Sequence, residues 1–121
     1  MANYQPVVAV NYNRGVVVVA IDREKILEEK DVASLEATFT PLIEENDPVK
    51  MVIDFSKVEY LSSSVLGLLI RLSSTIKDKG GSMCLCNISS RIFGIFKITR
   101  LDKVFNVCET TEEAIKRLQS N

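Results

Sequence analysis

At 121 residues with 46% hydrophobic content, the chain suits one globular domain spanning 1–121 with a real core, and a second domain does not fit. A formal net charge of −1 gives no bulk basic field for nucleic acid or an anionic membrane, and the mixed composition argues against disorder. No apolar run reaches the roughly 18 residues of a membrane span, and "MANYQPVVAV" lacks the layout of a secretion signal, so a cytoplasmic protein is expected. The charge is uneven: residues 1–50 carry 5 basic and 9 acidic side chains, residues 51–121 carry 10 and 7, an asymmetry that a protein partner could read.

In chain order, "VVAV" (Val7–Val10) and "VVVVAI" (Val16–Ile21) are β-branched runs joined by "NYNRG", an expected antiparallel hairpin. Val32, Leu35, Phe39, Leu42 and Ile43 recur at helical spacing from about Asp31 to Glu45, with Asp31 as the expected N-cap and "NDP" as the stop. "KMVIDF" reads as a buried central strand. Three serines, Ser62, Ser63 and Ser64, then open a helix that runs to about Lys79 and closes on Gly80 and Gly81. "SMCLCNI" is the next strand, with Cys84 and Cys86 on one face. A helix from about Ser89 to Thr99, a strand "KVFNV" and a helix opened by "TTEEAIKRL", capped by Thr110 or Thr111, complete the chain.

The second half thus alternates strand and helix, which implies right-handed crossovers and a parallel sheet; the hairpin makes that sheet mixed. The expectation is an α/β fold with about five strands and about four helices. Functional groups in such sheets gather at strand carboxyl ends, and the serine loop after "KMVIDF" lies at one.

A helical wheel at 100° per residue puts Val65, Leu68, Leu69, Leu72 and Ile76 on the core face, with Leu66 at its margin. Ser63, Gly67, Ile70 and Ser74 fall on the opposite side, with Arg71 at the edge, leaving a face of small residues against which another molecule could lie flat. The cluster Ile92, Phe93, Ile95, Phe96 and Ile98 reads as core, with Phe93 or Ile98 left over for a partner. Asp54 is expected to hydrogen-bond the loop that follows it, in preference to holding a phosphate or a metal.

Enzyme chemistry has little to stand on. No histidine is present to serve a serine nucleophile as base, no G-x-S-x-G elbow surrounds the serines, and nothing in the spacing supports Lys57 as a base. No phosphate-binding loop of the G-x-x-x-x-G-K-[ST] type occurs. Cys84, Cys86 and Cys108 suit reduced core thiols, and without histidine or a CxxC pair neither a metal nor another cofactor is expected.

The runs "VIDFSKVEYLSSSVLGLL" and "KGGSMCLCNISSRIFGIFKITRLDKVFNV" resemble the STAS domain of bacterial anti-sigma factor antagonists. Ser63 falls on that family's phosphorylatable serine, Ser64 on its neighbour, and Leu66 and Gly67 on its Leu-Gly. The likeness covers residues 50–119; residues 1–49 agree in layout only. Ser62 replaces a common aspartate, Val65 a glycine and Arg100 a typical glycine, and "DREKILEEKD" fills the place of a glycine and acidic turn.

The resemblance implies a non-catalytic regulator that binds an anti-sigma factor with serine kinase activity and is released when that kinase phosphorylates Ser63, with Ser64 and Ser62 as lesser candidates. It implies a partner surface of Ser62, Ser63, Ser64, Gly67, Ile70, Arg71 and Ser74. The alternative is a STAS subunit of another assembly, a lipid transporter or a stress-sensing complex.

Overall fold

The computed structural model describes residues 8–119; Val7, the first residue of the expected opening strand, lies outside them. Five strands make the main sheet, in the order β1 (Val8–Asn13), β2 (Val16–Ile21), β4 (Lys50–Asp54), β6 (Ser82–Cys86) and β7 (Asn106–Cys108). β1 pairs antiparallel with β2 and all other neighbours run parallel. The helices are α1 (Glu29–Glu45), α2 (Ser63–Asp78), α3 (Ser90–Ile98) and α4 (Thr111–Gln119).

Alternation along the strands sorts the core onto two faces. Val17, Val19, Ile21, Met51, Ile53, Met83 and Leu85 point into the larger core, with the apolar stripes of α1, α2 and α3 packed on them. Val16, Val18, Val52, Cys84, Cys86 and Cys108 point the other way, beneath Ala114, Ile115 and Leu118 of α4. β2 is therefore apolar throughout because both of its faces are covered.

Several expectations shift. The hairpin turn is Arg14–Gly15 alone, at φ 55° and 81°, so the "NYN" expected in the turn belongs to β1; two positive φ values in a two-residue loop match the strand twist. α1 begins at Glu29, not at Asp31: Glu28 is its N-cap without a side-chain bond, and Asp31 is an acid of the first turn. The reason is a second, two-stranded sheet that the sequence did not announce, β3 (Lys25–Ile26) parallel to β5 (Tyr60–Leu61), which fixes where the chain enters α1. The expected strand "KVFNV" splits, since Leu101–Lys103 form a 3-10 turn, Phe105 enters the larger core, and β7 starts only at Asn106.

The glycine pair after α2 divides its work. Gly80, at φ 77°, carries the left-handed turn, while a side chain at Gly81 would run into the Val49 carbonyl oxygen. Gly81 is thus required by close backbone approach. Arg100 takes φ 63°, the backbone region that suits glycine, before the 3-10 turn.

Candidate functional site

The β4–α2 loop ends at the carboxyl edge of the sheet, and β3 braces it. Glu59 and Tyr60 N–H groups donate to the Glu24 carbonyl at 2.8 and 3.0 Å, and the Ser62 N–H donates to Ile26 O at 3.0 Å. Lys57 Nζ lies 2.9 Å from Asp22 Oδ1, linking the same loop to the end of β2. That contact holds the Asp22 carboxyl below its usual range and Lys57 above its own, chiefly through their hydrogen bond.

The three serines take different places. Ser62 is the N-cap: its Oγ accepts from Val65 N–H at 3.4 Å. Ser63 and Ser64 are the first two residues of α2 and both are exposed. Among the described residues neither hydroxyl has a hydrogen-bond partner.

Below them the wheel is borne out. Val65, Leu68, Leu69, Leu72 and Ile76 are buried, while Ile70 (40% exposed), Arg71 and Ser74 face outward and Gly67 is partly open. Arg71 leans over Gly67 toward α1, with its guanidinium 3.8 Å from Glu36.

Sequence reasoning missed what flanks this face. Val104, half exposed, and Lys103 form a shallow cleft with Ile70, Ser73, Ser74 and Lys77. The strand assigned to "KVFNV" hid them. Tyr60, two residues before the cap, carries Arg91 at 4.8 Å and Lys25 at 5.6 Å from its ring centroid, so two cations gather near the start of α2. A tyrosine beside the serine run was the available signal.

On α3 only Ile92 and Phe96 are buried. Ile95 and Ile98 are exposed, Ile98 by 84%, which corrects the reading of Ile95 as core and leaves Ile98 as the residue set apart for a surface; a nine-residue helix has one buried stripe and these two fall off it. Phe93 is partly buried with Lys97 over its ring.

Asp54 behaves as expected: its Oδ1 accepts from Ser56 N–H and from Asn87 Nδ2, each at 2.9 Å. Asn87 Nδ2 also reaches Thr111 Oγ1 at 3.1 Å, so this network ties the ends of β4 and β6 to the start of α4. Thr110, not Thr111, caps α4, accepting from Glu113 N–H at 3.1 Å. Among the described residues no group of three or more potential ligands converges to hold a metal, and no helix is long and apolar enough to cross a membrane.

The arrangement offers an addressable hydroxyl at a helix N-terminus, above a strip of small residues with one apolar side chain. Comparison with known proteins bears on the family and the fold. The model of the STAS domain matches residues 8–114. The anti-sigma-B factor antagonist of Bacillus subtilis (strain 168) is 29% identical over 94 residues, 75% of this chain and 84% of that one. An anti-sigma factor antagonist homologue of Thermotoga neapolitana is 27% identical over 70 residues, 58% of this chain and 62% of that protein's length. The solved structure of an anti-sigma-factor antagonist (STAS) domain protein from Planctomyces limnophilus superposes with a TM-score of 0.81 at 26% identity, covering 92% of this chain and 96% of the other.

Proposed function

Since the chain belongs to the STAS domain family, we propose that it is an anti-sigma factor antagonist, binding an anti-sigma factor with serine kinase activity through the outer face of α2 and released by phosphorylation of Ser63. The observation that carries the reading is the separation of duties in the serine run. Ser62 caps the helix, which leaves Ser63 exposed beside the Gly67, Ile70 and Ser74 strip.

A phosphate there adds about −1.5 to −2 charges at neutral pH. The first-turn N–H groups and helix dipole tolerate an anion at that end, so the fold survives. A partner lying against the strip would have to desolvate the new charge, and binding weakens without refolding. Ser62 is engaged as the cap and is the weaker acceptor; Ser64 stands second.

The test is reconstitution with the cognate kinase and ATP. One phosphoryl group should appear on the Ser63 peptide, and the modified protein should lose affinity for the unmodified protein's partner. Modification elsewhere, or undiminished binding, overturns the switch. Affinity capture from the source organism separates the alternative: a kinase-like anti-sigma factor supports the antagonist, whereas a transporter ATPase or a stress-sensing complex supports a STAS subunit of another assembly.

A further inference from the structure

Three thiols lie on the α4 side of the sheet, outside the α2 surface. The register sets Cys86 opposite Cys108 and Cys84 opposite Asn106. Cys86 nonetheless turns its sulfur to Thr111 Oγ1, at 3.4 Å, and Asn87 Nδ2, at 3.7 Å. The diagonal pair meets instead, with Cys84 Sγ 3.1 Å from Cys108 Sγ, closer than two sulfurs in van der Waals contact.

The two differ in access. Cys84 is fully buried, while Cys108 retains 9% exposure and lines a cleft of about 400 Å³ with Ile88, Ser90, Phe93, Val107 and Glu109. Of the two sulfurs in contact, the one on Cys108 therefore belongs to the residue nearer to solvent, with Cys84 beside it.

We propose that Cys108 is a site of oxidation by hydrogen peroxide and that Cys84 is its resolving thiol, the two closing to a disulfide. In the first step the Cys108 sulfur attacks the peroxide, forming S–O as O–O breaks, and the thiol proton leaves with the departing oxygen as water. In the second the Cys84 sulfur attacks Cys108, forming S–S as S–O breaks, and the hydroxyl leaves with the Cys84 proton as a second water. The dithiol gives up two electrons and hydrogen peroxide receives them.

Burial pushes Cys84 up to about 12 and Cys86 up to about 11, so both are held as thiols at neutral pH. Cys108, the more exposed residue of the touching pair, is the one a peroxide reaches first. Closing the 3.1 Å contact to a bond of about 2 Å draws β7 toward β6. β7 is a three-residue edge strand and can yield.

The experiment treats the reduced full chain with hydrogen peroxide, then unfolds it and counts thiols by alkylation and intact mass. One alkylatable thiol should remain of three, with a mass loss of two hydrogens, and dithiothreitol should restore all three. Because Cys84 and Cys86 share a tryptic peptide, Cys86→Ala assigns the bond: that variant should still close it, and Cys108→Ser should not. Three remaining thiols after prolonged exposure, a bond requiring Cys86, or arrest at a Cys108 sulfinic acid overturns the proposal. If Cys108→Ser does not fold, the thiol count of the unmodified chain and of Cys86→Ala still decides.

Discussion

Ser62 and Val65 close the first turn of α2 through the Val65 N–H donated to Ser62 Oγ at 3.4 Å, and the Ser62 carbonyl also accepts from Val65 N–H at 3.1 Å and Leu66 N–H at 3.3 Å. Ser62→Ala removes the side-chain part alone. The side-chain bond is long, so the expected loss is about 0.5–1 kcal/mol, the low end for an N-cap. Ser63→Ala should change stability by less than about 0.5 kcal/mol, because its exposed hydroxyl makes no bond among the described residues. Urea denaturation midpoints of the two variants check the order; equal losses would place Ser63 in the cap.

Charge at Ser63 should act on binding and spare the fold. Ser63→Asp puts a carboxylate at the first position of α2, where the helix dipole favours it by about 0.3–1 kcal/mol. Against an anti-sigma factor partner the same carboxylate is desolvated, and affinity should fall by about 1–3 kcal/mol, roughly 5- to 150-fold, while Ser63→Ala keeps the affinity of the unmodified protein. Titration calorimetry on both variants reads the difference; equal affinities would leave the hydroxyl outside the contact.

The outer strip makes its own prediction at Gly67. A Cβ built there meets only the Arg71 guanidinium at 3.7 Å, so a side chain fits without disturbing the core. Gly67→Arg gains about 0.8 kcal/mol of helix propensity and gives back about 0.2–0.5 kcal/mol to like charge at Arg71, four residues on. Melting temperature should therefore hold or rise slightly. Partner binding should collapse, since a long cationic side chain prevents a flat surface from closing on the strip. Full affinity in a folded Gly67→Arg protein would remove this strip from the interface.

What the sequence shows plainly here is what a local pattern can encode. β2 is apolar from end to end and β4 and β6 are apolar in their buried middles because the sheet is covered on both sides, and α2 keeps a clean stripe with Val65 and Leu68 in the core. The opening serines were recognisable as a cap plus surplus hydroxyls, and the structure assigns the cap to Ser62. Pairings set by distant segments left no such trace. β3 and β5 are two residues each, too short for any periodicity, yet they fix the entry to both α1 and α2. Val104 and Phe105 sit in a β-branched, aromatic run that favours a strand, but the preceding 3-10 turn sends Phe105 inward and leaves Val104 outside. Ile98 is apolar and 84% exposed, a reminder that hydrophobicity alone does not bury a residue at the last position of a short helix.

The Asp22–Lys57 pair gives the loop before α2 a pH signature. Lys57 holds the folded-state pKa of Asp22 below its ordinary value, so the pair stabilises above the unfolded carboxyl range, near about pH 4, and that contribution is lost as pH falls through the depressed folded value. Lys57 is shifted the other way, raised by Asp22, so its contribution is present below about pH 10 and lost as pH rises through the folded value. Both side chains are more than half exposed, which keeps the effect small and sensitive to salt. Asp22→Asn should lower the denaturation midpoint slightly at pH 7 and low ionic strength, and the difference from the unmodified protein should shrink in high salt and vanish in acid once Asp22 is protonated in both states. A deficit that persists unchanged in acid would mean that Asp22 supports the loop through its shape and not through the charge it shares with Lys57.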